Sequence, residues 1–213
     1  VGKTAVLMKA VSALKEKGYR VGGIISREVR EGESRVGFEI LDLSSGRRGW
    51  LARVNKEHGP QVGKYCVNIK DLDAIGAAAI ADALEICDVI AIDEIGPMEL
   101  FSEEFKQATR KALESRKPVL AVVHWKARDR LISEAKNRED SEIFTVTYEN
   151  RDKLPEAIVE KTITGYQLKK GHSDLKQGFL NNSAVQVFFC FSSSYILHEP
   201  AVTRFFLKLE PSS

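Results

Sequence analysis

Two adjacent carboxylates, Asp93 and Glu94, stand at the end of an apolar run, DVIAIDEI, and Gly96-Pro97 follows at once. A short β-branched run of this kind reads as a strand buried on both faces, as in a parallel sheet. The Gly-Pro pair stops it. The two acids therefore belong to the carboxyl edge of a central strand, where open α/β sheets bind their ligands. Charges at the end of a buried strand call for a partner, and a metal ion is the commonest such partner there.

A second set of chemically useful residues opens the chain, Val1-Gly2-Lys3-Thr4. These are the last four positions of the phosphate-binding loop G-x-x-x-x-G-K-[ST], the Walker A motif. A bare GKT also arises by composition alone, so its surroundings matter. It directly precedes a helical pattern with Val6, Leu7, Ala10, Val11 and Leu14 on one face, and Gly18 ends that helix. The Asp-Glu strand downstream is the Walker B element that such a loop needs for its magnesium.

The elements that must position these residues follow in order. A helix is expected over about Thr4 to Lys17, then a strand over Tyr19–Ser26 with an inserted Gly pair. Arg27 to Glu33 reads as a charged turn, with further strands at Arg35–Leu43 and Arg47–Val54, together an antiparallel meander. Asp71 is the expected cap of an Ala-rich helix leading into the acid strand. Ser102 should cap a helix over Phe101–Arg116. Pro118–Val123 reads as a fully apolar strand, a charged helix covers about Ala127 to Lys136, and Glu142–Thr147 is a further strand. Asn150-Arg151-Asp152 opens a helix to about Lys161. Strands alternating with helices predict a three-layer α/β sandwich.

Bulk properties agree with a soluble enzyme. A net charge of +2 over 213 residues is too balanced to imply a nucleic-acid or membrane partner. There is no run of eighteen apolar residues and no charged-then-apolar leader. Cys66, Cys87 and Cys190 are odd in number and form no C-x-x-C or Cys/His cluster, which points to a reduced, cytoplasmic protein without a zinc site. Composition changes after Lys161: the last 52 residues are poor in charge yet hold six of the ten Phe. The expected division is therefore a domain over residues 1–161 and an extension over 162–213.

GGIISREVREGESRVGFEILDL, GPQVGKY, DVIAIDEIGPMEL, KPVLAVVH and TVTYENRDKLPE, taken in order, resemble one family closely. It is the small nucleoside-triphosphatase family of archaea and bacteria, whose animal member is called cancer-related nucleoside-triphosphatase. The resemblance covers about residues 1–161. It implies a P-loop α/β fold, a mostly parallel sheet with an antiparallel meander, and Mg2+-dependent hydrolysis of nucleoside triphosphates such as ATP and GTP to diphosphates, with broad base tolerance. The family has a first strand and a complete loop ahead of the residue that is Val1 here, so the resemblance also implies an N-terminally truncated domain lacking its usual first strand. Ala184–Phe191 is one segment that would fill the vacant slot.

Each candidate then receives a role. Phosphoryl transfer to water is mainly positioning and neutralisation of charge. Val1, Gly2 and the amides at the helix start would cradle phosphates. Lys3 would reach the β and γ oxygens, Thr4 and Asp93 would hold Mg2+, and Glu94 would polarise the attacking water. His124, at the end of the AVV strand, is a candidate to sense the γ-phosphate or hold that water, with a partly buried strand-end histidine as the plain alternative. Arg27 and Arg30 would supply the cation of the transition state unless they only solvate a turn. Asn150 and Arg151 follow a strand end where P-loop proteins contact the base, and capping the final helix explains Asn150 as well; Trp125 and Tyr148 would pack at the sheet edge, with stacking on a base as the alternative. A nucleotide kinase would use the same loop and Asp93, and a truncated, inactive domain is the third reading. A monomer is expected.

Overall fold

The structure is a computed structural model that describes residues 2–55, 58–124, 127–171 and 186–190. Helix α1 (Lys3–Glu16) leads to the meander of β1 (Val21–Glu31), β2 (Ser34–Asp42) and β3 (Arg48–Arg53). A small hairpin follows, β4 (Gln61–Val62) and β5 (Tyr65–Val67). Next come α2 (Ile69–Asp71), a π-helical turn (Leu72–Ala77) and α3 (Ala78–Ile86). The rest comprises β6 (Val89–Ile95), a 3-10 turn (Glu99–Phe101), α4 (Glu103–Glu114), β7 (Val119–Val123), α5 (Arg130–Asn137), β8 (Ser141–Thr145), α6 (Leu154–Gly171) and β9 (Gln186–Cys190). One sheet joins the strands in the order β4-β5-β3-β2-β1-β6-β7-β9-β8. Its β1, β6, β7, β9 and β8 pair in parallel, and its β1-to-β4 side is antiparallel. This is the expected α/β plan.

Why the sheet holds is visible in the alternation of its central strands. Ile90 and Ile92 of β6 and Val119, Ala121 and Val123 of β7 face one side, packed with Ile80 of α3, Phe105 of α4 and Leu131 of α5. Val89 and Ala91, with Leu120 and Val122, face the other, packed with Leu7, Val11 and Leu14 of α1 and Ile158 of α6. Both faces are covered, so these strands carry no polar face. Each of the larger aliphatic side chains so buried contributes on the order of 1.5–3 kcal/mol relative to exposure.

Several local features depart from the sequence-based expectation. β1 does not stop at Ser26; it continues to Glu31, pairing Arg27 with Glu39 and Glu28 with Phe38, so Arg27 and Arg30 lie on a strand overhang. The turn itself is shorter and uses Gly32 at φ 61, a conformation that costs glycine little. The helical stretch before β6 is capped by Asn68, whose side chain accepts the Asp71 N–H at 3.4 Å, while Asp71 accepts the Trp50 N–H at 2.8 Å. Asp71 thus ties this helix to β3. Ser102 does cap α4, accepting from the Phe105 N–H at 2.9 Å. The change of composition at Lys161 falls inside α6, which runs on to Gly171 with Thr162 fully buried. Gln186–Cys190 lies between β7 and β8, parallel to both. The flanking residues Ala184, Val185 and Phe191 of the segment considered for this slot lie outside the described residues.

At the start of β6, Asp88 fastens the edge of the sheet opposite the acid pair. Its carboxylate accepts from Arg20 Nε and Nη2, each at 3.1 Å, from the Arg20 backbone N–H at 2.9 Å and from the Tyr166 hydroxyl of α6 at 2.7 Å. These donors, led by the Arg20 side chain, hold Asp88 well below the usual carboxylate range.

Candidate active site

The acid pair occupies an irregularity in β6. Between Ile92, paired with Ala121, and Ile95, paired with Val123, the register with β7 slips by one. Such a slip re-aims side chains at a strand end, and the Asp93–Glu94 peptide within it is cis. Asp93 is 2% exposed. Burial is the chief cause that raises it, to about 6; the Glu94 charge acts in the same direction, and the Thr4 hydroxyl, Lys3 and the Ser26 N–H act against it.

Helix α1 brings the opening residues to this edge. Gly2 is its N-cap in the left-handed region at φ 96 and offers no side chain to the first-turn amides. The start of the helix is therefore left as a concentration of N–H donors and positive dipole, suited to an anion. Lys3 Nζ lies 3.3 Å from Glu94 Oε2, and the Thr4 hydroxyl donates to Asp93. Lys3, Thr4, Asp93 and Glu94 thus meet although some ninety residues separate the two motifs. Val1 lies outside the described residues.

His124 joins the same edge. Its backbone N–H donates to the Ile95 carbonyl at 3.1 Å, which sets it just beyond the acid pair. Its Nδ1, Asp93 Oδ2 and Glu94 Oε1 are buried atoms without a hydrogen-bond partner among the described residues. Buried polar groups are nearly always satisfied, so three orphans at one strand edge mark a place made for something else to bind.

The other candidates fall elsewhere. Arg27 is exposed and follows Ser26, whose N–H reaches Asp93. Arg30 is engaged in the hairpin, with Glu28 and with the Glu33 carbonyl at 2.9 Å. The Asn150 amide is committed to its own loop: it accepts from the Thr147 N–H and donates to the Thr145 carbonyl, both at 2.8 Å. The side chain thus closes its own loop rather than capping α6. Arg151 stacks over the exposed Tyr148 ring at 5.3 Å. Trp125 lies outside the described residues.

Sequence reasoning gave no role to two participants. Ser26 acts through its backbone, which no residue type advertises. Glu99 is 5% exposed and is raised to about 8, by burial first and then by the Glu94 charge. Its only signal in the sequence is an acid just past the Gly-Pro stop.

A family model described as NTPase matches residues 1–159. The chain belongs to this NTPase family. It is 47% identical over 165 residues to the nucleoside-triphosphatase THEP1 of Thermofilum pendens, covering 76% of this chain and 89% of that protein. With the THEP1 protein of Methanosarcina acetivorans it shares 48% over 162 residues, covering 76% and 90%. The solution structure of a human cancer-related nucleoside triphosphatase superposes with a TM-score of 0.66 at 36% identity, covering 77% of this chain and 93% of that one. The crystal structure of THEP1 from Aquifex aeolicus gives 0.67 at 27%, covering 76% and 93%. The family and the α/β fold named from the motifs are therefore both found.

Proposed function

We propose that this NTPase-family chain hydrolyses nucleoside 5′-triphosphates to diphosphate and phosphate with Mg2+, using the edge formed by α1, β6 and β7. The observation that carries the reading is the group of buried, unpartnered Asp93 Oδ2, Glu94 Oε1 and His124 Nδ1 beside Lys3. The amides at the start of α1 and the Lys3 ammonium bind and orient the phosphates. Lys3 exchanges its contact with Glu94 for the β and γ oxygens, and Glu94 then accepts a proton from the attacking water. His124 orients that water or the γ-phosphate, and Arg27 offsets charge in the transition state.

The residues present fit a magnesium ion. The Thr4 hydroxyl and the Asp93 carboxylate are hard oxygen donors, and one Asp93 oxygen is an orphan. Among the described residues no group of three or more His, Cys, Asp or Glu could hold a metal. Mg2+ takes one or two carboxylates and completes its shell with water and phosphate. When bound, it neutralises charge on the β and γ oxygens.

Contacts to the base fall to Arg151 and Tyr148, an exposed, stackable pair compatible with several bases. Among the described residues no helix is long and apolar enough to cross a membrane.

The test is phosphate release from ATP and GTP with Mg2+, beside a Glu94→Gln control. Acceptor-free release that Glu94→Gln reduces by about 10²–10⁴ is expected for loss of a general base. Release that requires a nucleotide acceptor would replace hydrolysis with kinase chemistry, and release untouched by Glu94→Gln would remove Glu94 from its role.

A further inference from the structure

Glu94 is held from one side only. Its Oε2 faces Lys3, while its Oε1 is buried without a partner. On that open side stands Gly96, and across Gly96 stands Glu99. A Cβ placed on Gly96 would meet Glu94 Oε1 at 3.0 Å and Glu99 Oε2 at 3.1 Å. One oxygen of each carboxyl group thus borders the space beside the Gly96 Cα, which only a glycine leaves clear.

The chain after the strand is built to put Glu99 there. Gly96-Pro97 ends β6, and the 3-10 turn Glu99–Phe101 follows immediately, closed by the Leu100 N–H on the Gly96 carbonyl at 3.1 Å and the Ser102 N–H on the Glu99 carbonyl at 3.1 Å. Ser102 is also the cap of α4, so the turn is fixed from both ends. A carboxyl so buried beside a second carboxyl cannot share its space as a like charge. Burial first, and then the Glu94 charge, raise Glu99 to about 8, so that at pH 7 it is a neutral donor.

We propose that Glu99 is the positioning residue of Glu94: its carboxylic O–H, held across Gly96, engages Glu94 Oε1 and leaves Oε2 as the oxygen presented to the lytic water. The proposal rests on the hydrolytic role given to Glu94. Oε2 is the atom now facing Lys3, so the turn of Lys3 to the phosphates and the exposure of the basic oxygen become one event. Oriented side chains of this kind are what a general base needs to meet water at hydrogen-bond distance.

Three variants in the full chain test it. Glu99→Gln keeps a neutral donor in the same place, and its kcat should stay within about threefold of the parent. Glu99→Leu keeps the bulk and loses the donor; its kcat should fall about 10–100-fold, with KM and the affinity for a non-hydrolysable triphosphate analogue unchanged. Equal activity of Glu99→Leu and the parent would overturn the proposal, as would equal loss in both Glu99 variants. Glu94→Gln, measured alongside, separates the two readings: if it leaves hydrolysis intact, the role of Glu94 falls. The pairing is read independently of turnover by carboxyl 13C NMR. Glu94→Gln should move the Glu99 carboxyl signal and Glu99→Gln that of Glu94; unmoved signals would overturn the proposal whatever the kinetics.

Discussion

The two ends of β6 carry acids of the same family in opposite electrostatic states. At its start Asp88 accepts four hydrogen bonds, two from the Arg20 guanidinium, and is held well below the ordinary carboxylate range. At its end Asp93 and Glu99 are buried and pushed upward, and two carboxylate oxygens are orphans. The strand between is uniformly apolar and buried, so the difference arises from what each end is supplied with. The start is supplied with cations and donors and works as a fastening. The end is supplied with Lys3, the Thr4 hydroxyl and the Ser26 N–H, which still leave two carboxylate oxygens unmatched among the described residues, a state that costs stability and persists where a ligand supplies what the chain withholds. An acid tells little about function by its type; whether its charge is satisfied decides.

If that contrast is sound, changes at the two ends should separate activity from stability. The largest effect is expected from Lys3→Ala, which removes the cation beside Glu94: a loss of about 10³-fold in kcat/KM in a protein that remains folded at the assay temperature. Next comes Gly96→Ala. Its methyl group would press on both Glu94 Oε1 and Glu99 Oε2, and about a 10–100-fold fall in kcat is expected with at most about 1–3 kcal/mol of overpacking cost. A Gly96→Ala enzyme of full activity would mean that the two carboxyl groups need no fixed geometry. At the other end Asp88→Ala should do the reverse. It removes the carboxylate that accepts from the Tyr166 hydroxyl and from the exposed Arg20 side chain, and a loss of about 1–2 kcal/mol is expected in denaturant unfolding. Phosphate release per folded molecule should not change. Loss of activity in a stable Asp88→Ala protein would break the comparison.

How much of this was legible follows from which forces local sequence records. The apolar runs of β6 and β7, the amphipathic faces of α1 and α4 and the Ser102 cap are written in periods and residue types, and the structure has them. The meeting of Lys3 and Thr4 with Asp93 and Glu94 was readable because two motifs imply one site. Three things were not. The extent of β1 depended on cross-strand pairs that hold a charged segment extended, such as Arg35 on Glu28 at 3.0 Å, which a charged run alone does not announce. The cap at Asn68 competed with a better-looking Asp71, whose carboxylate is instead taken by the Trp50 amide of a distant strand. Glu99 acquired its character from burial and from the Glu94 charge, and both are tertiary facts. Asn150 shows the converse: its position after a strand end suggested the base, and its amide closes the loop.

The finest division between the two ends is in their pH dependence. Asp88 is lowered in the folded chain, so it contributes stability above its ordinary 3.8 that is lost as pH falls through its depressed folded value. Glu99 is raised from an ordinary 4.5 to about 8. Between those values the unfolded chain releases the proton that the folded chain keeps. The stabilising contribution of neutral Glu99 is therefore complete below pH 4.5 and is lost as pH rises to about 8. Glutamine does not titrate, so Glu99→Gln should lose this slope alone. The melting temperature of Glu99→Gln minus that of the parent should thus grow steadily from pH 4.5 to 8, by about 10 °C in all, while the difference between Asp88→Ala and the parent should stay at its full size across that interval and shrink only below about pH 4. A difference between Glu99→Gln and the parent that is constant with pH would mean Glu99 ionises in the folded chain as it does in water, and the two ends of β6 would then differ in geometry without differing in charge.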